Sequence, residues 1–322
     1  MPGETVFLTG GTGFIGSYTA KDLVDHGYDV VCFDHSDDTR ILEKLGVAAD
    51  VEVVRGDVTD AMQVVRVLRE YDATYAIHLA ALLTTSARAN PSAAVTVNIE
   101  GTTNIFEAAR ALDDQLERVA WASSAAVYAP PAEYDHGWVT EDDLVYPDTL
   151  YGGSKVYNEI QASVYEEDYG LDLVALRPTV AYGPYRETGG SAFLANIIEK
   201  PALGEPFSVE YGDQVIDWQY VEDIATSFRL AMETPAAERT RSVYNVRGSL
   251  ATVREAAETV KELIPGADLE VSDEGELPWT QRLDMTAAHD ELGYEPAHDL
   301  TSGFRKYIDV LRAEAGLDPL DS

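Results

Sequence analysis

The chain has 322 residues, 45% of them apolar, and carries 57 acidic against 23 basic side chains, a formal charge of −34. That length makes one large domain or about two, with ample material for a core. So negative a surface repels phosphate backbones and anionic bilayers, which excludes nucleic acid and membranes as partners.

The single cysteine, Cys32, allows no intramolecular disulfide and no cysteine-rich metal site. No apolar run nears the roughly 20 residues of a membrane span. The first residues, "MPGETVFLTGG", enter a strand-like run at once, so we expect no signal peptide and a cytoplasmic protein. The acidic residues are interleaved with apolar periodicity, and 18 tyrosines and 4 tryptophans argue for packed structure rather than disorder. Only six of the 23 basic residues are lysines. A folded, acidic, lysine-poor surface leads us to expect a protein of a halophile, where counterions screen the self-repulsion.

In chain order, "TVFLTG" reads as a buried strand and "FIGSYTAKDLVDHG" as a helix ending at Gly27. "DVVCFD" and "VEVVRGDV" are strands two and three, "DAMQVVRVLREY" a helix, and "YAIHLAA" a fourth strand. "SAAVTVNIEGTTNIFEAARALD" predicts one long helix, and "RVAWASSAAVY" a fifth strand. "YGGSKVYNEIQASVYEEDYG" is helical and "LDLVALRP" a sixth strand. Apolar strands alternating with helices predict a doubly wound parallel α/β sheet covered on both faces. After Pro178 the pattern loosens, with "SVYNVRG" as a late strand and "TVREAAETVKELIP" as a helix. We expect a Rossmann-type domain over residues 1–178, with a late strand from about 217–247 returning to it. Residues 179–216 and 248–322 are expected to form a smaller α+β substrate lobe.

"VFLTGGTGFIGSYTA" holds Gly11-x-Gly13-x-x-Gly16, and also Gly10-x-x-Gly13-x-x-Gly16, after a strand and opening a helix. Gly10 and Gly11 suit a tight turn, Gly13 admits a pyrophosphate, and Gly16 lets helix pack on strand. A glycine-rich turn without a ligand is the plain alternative. Asp34 ends the second strand, where an acid accepts the ribose hydroxyls and repels a 2′-phosphate, so NAD is expected over NADP. Cys32, mid-strand, reads as a small buried apolar residue.

Tyr151 and Lys155 in "LYGGSKVYNE" lie one helical turn apart on one face. An ammonium beside a phenol is expected to lower its pKa, making Tyr151 a general base or acid toward a substrate hydroxyl. Ser123 and Ser124 end a predicted parallel strand, the edge where ligands bind in such sheets. A serine there orients the same hydroxyl, or simply caps the strand end.

Taken together, "TGGTGFIG", "FDHS", "GDVTD", "HLAA", "VNIEGTTN", "SSAAVY", "YGGSK", "LRPTVAYGP" and "YVEDIA" resemble the extended short-chain dehydrogenases/reductases. That group contains the NAD-dependent nucleotide-sugar epimerases and dehydratases. The resemblance implies that Gly10, Gly13, Phe14, Ile15 and Gly16 hold the pyrophosphate end of NAD, that Asp34 binds the ribose, and that Asp57 and Val58 meet adenine. It further implies that Ala80, Lys155 and Pro178 line the rest of the cofactor. Tyr151, Lys155 and Ser124 would be the catalytic set, and His78, beside the cofactor, is read as structural. Helices around residues 92–112 and 151–168 would pair into a four-helix bundle in a homodimer.

Three departures narrow the activity. Ala125 and Ala126 stand where dehydratases carry an acidic pair, so a dehydratase is not expected. Val180 and Ile216 replace an Asn and an Arg that meet the sugar-nucleotide phosphates, and Arg186 is the candidate substitute. The first expectation is therefore an NAD-dependent dehydrogenase of a free sugar, sugar acid or similar polyhydroxy compound. A UDP-glucose-type 4-epimerase is the second, and a catalytically silent NAD sensor the third. Ser124, Tyr151, Thr85, Arg186 and Trp218 are the expected substrate contacts, with Leu82, Thr84, Tyr182 and Phe193 also expected around the pocket. No metal is expected.

Overall fold

The computed structural model describes residues 3–130, 133–134, 137–277, 279 and 282–320. In chain order its first half comprises β1 (Thr5–Thr9), α1 (Phe14–Asp25), β2 (Asp29–Asp34), α2 (Arg40–Lys44), β3 (Val51–Arg55), α3 (Ala61–Glu70) and β4 (Tyr75–His78). There follow α4 (Thr84–Ala89), α5 (Pro91–Ala94), α6 (Gly101–Ala111), β5 (Arg118–Ala122), α7 (Leu150–Tyr169) and β6 (Leu173–Pro178). Next come β7 (Val180–Tyr182), α8 (Asn196–Ala202), β8 (Phe207–Val209), β9 (Val215–Tyr220), α9 (Val221–Glu233) and β10 (Val243–Val246). The chain closes with β11 (Ser249–Thr252), α10 (Val253–Leu263), β12 (Leu269–Val271), α11 (Thr286–Leu292) and α12 (Leu300–Glu314).

Seven strands make one sheet in the order β10-β6-β5-β4-β1-β2-β3. Every neighbouring pair in it is parallel. Because side chains alternate along a strand, each strand feeds two cores. Val6, Leu8, Val30 and Cys32 pack in one core with Leu23 of α1 and Phe228 of α9. Phe7, Val31, Phe33 and Trp121 pack in the other with Phe106 of α6 and Tyr165 of α7. This is the doubly wound Rossmann-type fold that the alternating pattern predicts.

The single long helix expected over 92–113 is interrupted. Val95–Glu100 forms a π-helical turn between α5 and α6. The wider turn frees the carbonyl of Asn98, which accepts from Asn158 Nδ2 of α7 at 2.8 Å. Gly101 follows because a Cβ there would stand 2.8 Å from Val58.

Beyond β6 the chain builds a three-stranded sheet, β11-β9-β7, and a two-stranded pair, β12-β8. Their core joins Tyr182, Trp218, Tyr220, Phe304 and Tyr307. Within 217–247, α9 packs against α1 and β10 joins the main sheet, whereas β9 pairs with β7 and β11. Among the described residues no helix is long and apolar enough to cross a membrane.

Candidate active site

A cleft of about 970 Å³ runs along the carboxyl ends of β1, β2, β4, β5 and β6. One end is the glycine turn between β1 and α1. Gly10 has φ +70°, a conformation that favours glycine, and its N–H bonds Phe33 O at 2.9 Å. A Cβ on Gly16 would lie 2.0 Å from Gly10 O, so only glycine lets α1 start this close to the strand. Gly11 serves a different end from the one expected. Its φ is not positive, and a Cβ there would stand 2.6 Å from Cys32 Cβ. It makes room for β2 rather than for the turn. Burial pushes the Cys32 thiol up to about 12, consistent with an apolar filler.

Gly10, Gly13, Phe14, Ile15, Gly16, Asp34, Asp57, Val58, Ala80, Lys155 and Pro178 all line the cleft. Asp34 is fixed at the end of β2: Thr12 N–H bonds its Oδ2 at 3.3 Å, and Ser36 N–H bonds its Oδ1 at 3.1 Å. Asp57 is held by Thr59 N–H at 2.9 Å. A cradle that a Cβ would fill, followed by a fixed carboxylate at the next strand end, fits a dinucleotide with a free ribose diol.

The other end holds Ser124, Tyr151 and Lys155. Thr149 caps α7 by accepting from Gly152 N–H at 3.0 Å, and α7 carries Tyr151 and Lys155. Ser124 follows β5 and caps the short turn Ala125–Val127, accepting from Ala126 N–H at 3.1 Å. Ser124 and Tyr151 share a hydrogen bond. Lys155 Nζ donates to Ala122 O at 2.6 Å and lies 5.6 Å from the Tyr151 ring centroid.

The expected lowering of the Tyr151 pKa by Lys155 is absent. Burial raises the phenol, and the Ser124 hydrogen bond alone opposes it. Lys155 itself is pushed down to about 8 by burial, with Glu159 pulling the other way. His78 lies below: its ring nitrogens meet Thr9 Oγ1 at 2.7 Å and Thr102 Oγ1 at 3.0 Å. Burial and Lys155 push it down to about 3, so it is a neutral structural group.

Two expected substrate contacts are corrected. Trp218 is 1% exposed in the lobe core, its indole N–H bonded to Ala251 O at 3.2 Å. Thr85 lies exposed on α4, while Thr84 and Ser86 line the cleft. Tyr182 is likewise core, and Phe193 packs on Trp279, which lines the cleft in its place. Leu82, Ser124, Tyr151 and Arg186 do line it. Arg186 bonds Ala181 O and, at 2.8 Å, Ser191 Oγ, and has no carboxylate partner among the described residues. Sequence reasoning passed over Asn98, which grips Leu82 through both N–H at 2.7 Å and C=O at 2.9 Å. It also passed over Gly152, where a Cβ would meet Ala126 O at 2.1 Å.

Residues 6–246 match the NAD dependent epimerase/dehydratase family, and the chain belongs to it. It is 30% identical over 318 residues to the UDP-glucose 4-epimerase of Mycolicibacterium smegmatis, covering 95% of this chain and 97% of that one. It is 27% identical to UDP-glucuronate 4-epimerase 4 of Arabidopsis thaliana, over 95% of this chain and 75% of the relative. The solved UDP-glucose 4-epimerase of Thermus thermophilus, in complex with NAD, superposes with a TM-score of 0.80 at 28% identity, covering 96% of this chain and 99% of the other. The protein is thus an NAD-dependent enzyme of this family.

Proposed function

We propose that the enzyme oxidises a secondary alcohol of a free sugar or sugar acid. One observation carries this reading. Ile216, Val180 and Ala181 wall the substrate side of the cleft, where a nucleotide diphosphate would need cationic donors. Arg186, without an acid partner among the described residues, is suited to a single carboxylate or to hydroxyls.

Tyr151 Oη takes the hydroxyl proton, and Ser124 Oγ holds the alcohol oxygen in line with it. The Lys155 ammonium stabilises the phenolate that Tyr151 must reach against the upward pull of burial. NAD, held by Gly10, Gly13, Gly16, Asp34 and Lys155, supplies the hydride acceptor when bound. The alcohol loses one hydride and one proton and becomes a carbonyl.

A second reading is 4-epimerisation of a UDP-sugar, favoured by the relatives, which are UDP-sugar 4-epimerases across 95% of this chain. There Arg186 takes a phosphate, and hydride returns to the other face of the ketone. The test is NADH absorbance in concentrated KCl against free sugars, sugar acids and UDP-sugars. Steady NADH with a non-nucleotide sugar supports dehydrogenation. No NADH but an epimerised UDP-sugar replaces the first reading with the second.

The assembly we propose is a homodimer. Leu150, Tyr157, Ile160 and Val164 of α7 are exposed apolar residues, as is Val95 at the start of the π turn. Sedimentation of wild type and of Ile160→Glu checks it: a monomer in both sinks the idea.

A further inference from the structure

Beside the candidate reacting side chains lies a buried ion pair that the proposed mechanism does not use. Glu159 of α7 and Arg177 of β6 meet in a two-pronged contact, Arg177 Nε donating to Oε1 at 2.8 Å and Nη2 to Oε2 at 2.7 Å. The Glu159 side chain is 10% exposed and that of Arg177 5%. Arg177 is fixed in turn by the Tyr128 hydroxyl, which accepts from Nη1 at 2.5 Å and donates to Asn245 Oδ1 at 2.8 Å. Tyr151, Lys155 and Glu159 follow one another at intervals of one helical turn on α7, so they share a face. That face is fastened to three successive residues at the end of β5. Ser124 shares a hydrogen bond with Tyr151, the Ala122 carbonyl accepts from Lys155 Nζ at 2.6 Å, and Ser123 Oγ donates to Glu159 Oε1 at 2.5 Å. An apolar pair of similar volume often stabilises a core as well as a buried ion pair does. The place of this one, a single turn beyond Lys155, gives it another use.

We propose that Glu159 is a positioning residue: its carboxylate, anchored by Arg177, faces the Lys155 ammonium and fixes Ser123, so that Lys155 and Ser124 are both set against Tyr151. The proposal deepens the reading of Tyr151 as the base and rests on it. Lys155 is 2% exposed, and burial pulls it down to about 8 while Glu159 holds it up. The other titratable groups that face Lys155 are Tyr151 on α7 and His78 on β4, and His78 is neutral. Glu159 is thus the one carboxylate among the described residues that favours the charged amine. Without it the amine loses its proton near neutral pH, and a Tyr151 phenolate has no cation to stabilise it. Arg177, left unpaired, would then add a like charge.

The test follows Lys155 itself, in concentrated KCl with NAD present. The chain has six lysines, so lysine labelled with carbon-13 at Cε gives a short set of resonances, and Lys155→Arg identifies the one that disappears. In wild type this resonance is expected to titrate below the rest. Glu159→Gln removes the charge and keeps an oxygen for Ser123. It is expected to lower the Lys155 midpoint by about one pH unit or more, and kcat by about tenfold or more with the compound that reacts in the panel above. A kcat that falls while the midpoint stays is what a merely structural pair gives, and it overturns the proposal. So does a variant that matches wild type in both. Should Glu159→Gln fail to fold, with Arg177 left buried and unpaired, Glu159→Met/Arg177→Met removes both charges and is expected to keep the fold. A lowered Lys155 midpoint in that double variant supports the proposal, and a wild-type midpoint overturns it. If no compound in the panel reacts, the functional reading fails separately. The midpoint still decides whether Glu159 holds the ammonium in place: a fall supports it, and no fall overturns it.

Discussion

Gly152 on α7 packs against Ala126 so closely that a Cβ would lie 2.1 Å from the Ala126 carbonyl oxygen. The residue before Gly152 is Tyr151, and the residue two before Ala126 is Ser124. This contact therefore sets how near the helix of the base comes to the loop of the serine. The next glycine, Gly153, has nothing within 4 Å of its Cβ position. Gly152→Ala is expected to push α7 off the loop, lowering kcat by about tenfold or more and stability by about 1–3 kcal/mol. Gly153→Ala is expected to keep activity and gain up to about 1 kcal/mol of helix propensity. Parallel assays and melts of the two variants check the contrast.

Tyr151→Phe removes the atom proposed to take the proton and leaves the aromatic packing. We expect kcat to fall about 10²–10⁴-fold with the Kd of NAD unchanged. Full activity in this variant would remove the proposed mechanism and return the silent-sensor reading.

Asp34 is the fixed acid at the end of β2, and the first arginine beyond it, Arg40, is engaged by Glu187 at 2.8 Å. Asp34→Ala is expected to weaken NAD by about tenfold and to narrow the discrimination against NADP. Titration of both cofactors measures the ratio, which should fall.

His78 gives a pH dependence of stability. Its folded pKa is about 3, below its ordinary 6.5, so between those values the unfolded chain binds the proton and the native chain does not. Stability is thus full above about 6.5 and is lost as pH falls toward 3. His78→Asn should show a shallower fall of Tm from pH 6.5 to 4 than wild type. Equal slopes would mean that His78 is not the neutral group its two threonine contacts describe.

The charge of −34 predicts a fold that needs screening. Tm should rise steeply from dilute buffer to molar KCl. A salt-independent Tm would remove the motive for a halophilic origin.

Much of this is legible in the sequence. The glycine turn, the strand alternation and the spacing of Tyr151 and Lys155 are consequences of local covalent geometry, which repeats every two residues in a strand and about every four in a helix. Asp34 was legible for the same reason: a strand end at a known distance from the turn. Sequence periodicity could not separate the two faces of β9. On one face Trp218 and Tyr220 join the lobe core with Ile216, which also reaches the cleft; on the other lie Asp217 and Gln219. Trp218 was expected in the cleft, and it is Asp217, one residue away, that lines it. Gly152, Asn98 and the upward shift of Tyr151 were equally out of reach. Each depends on which distant segment comes within a few ångströms, and on how much water that approach excludes. Composition and local pattern determined the family and the cofactor and singled out the candidate reacting side chains. Packing between segments far apart in the chain decided how closely those side chains meet and which protonation states they hold, because burial and close approach exist only once the chain has folded.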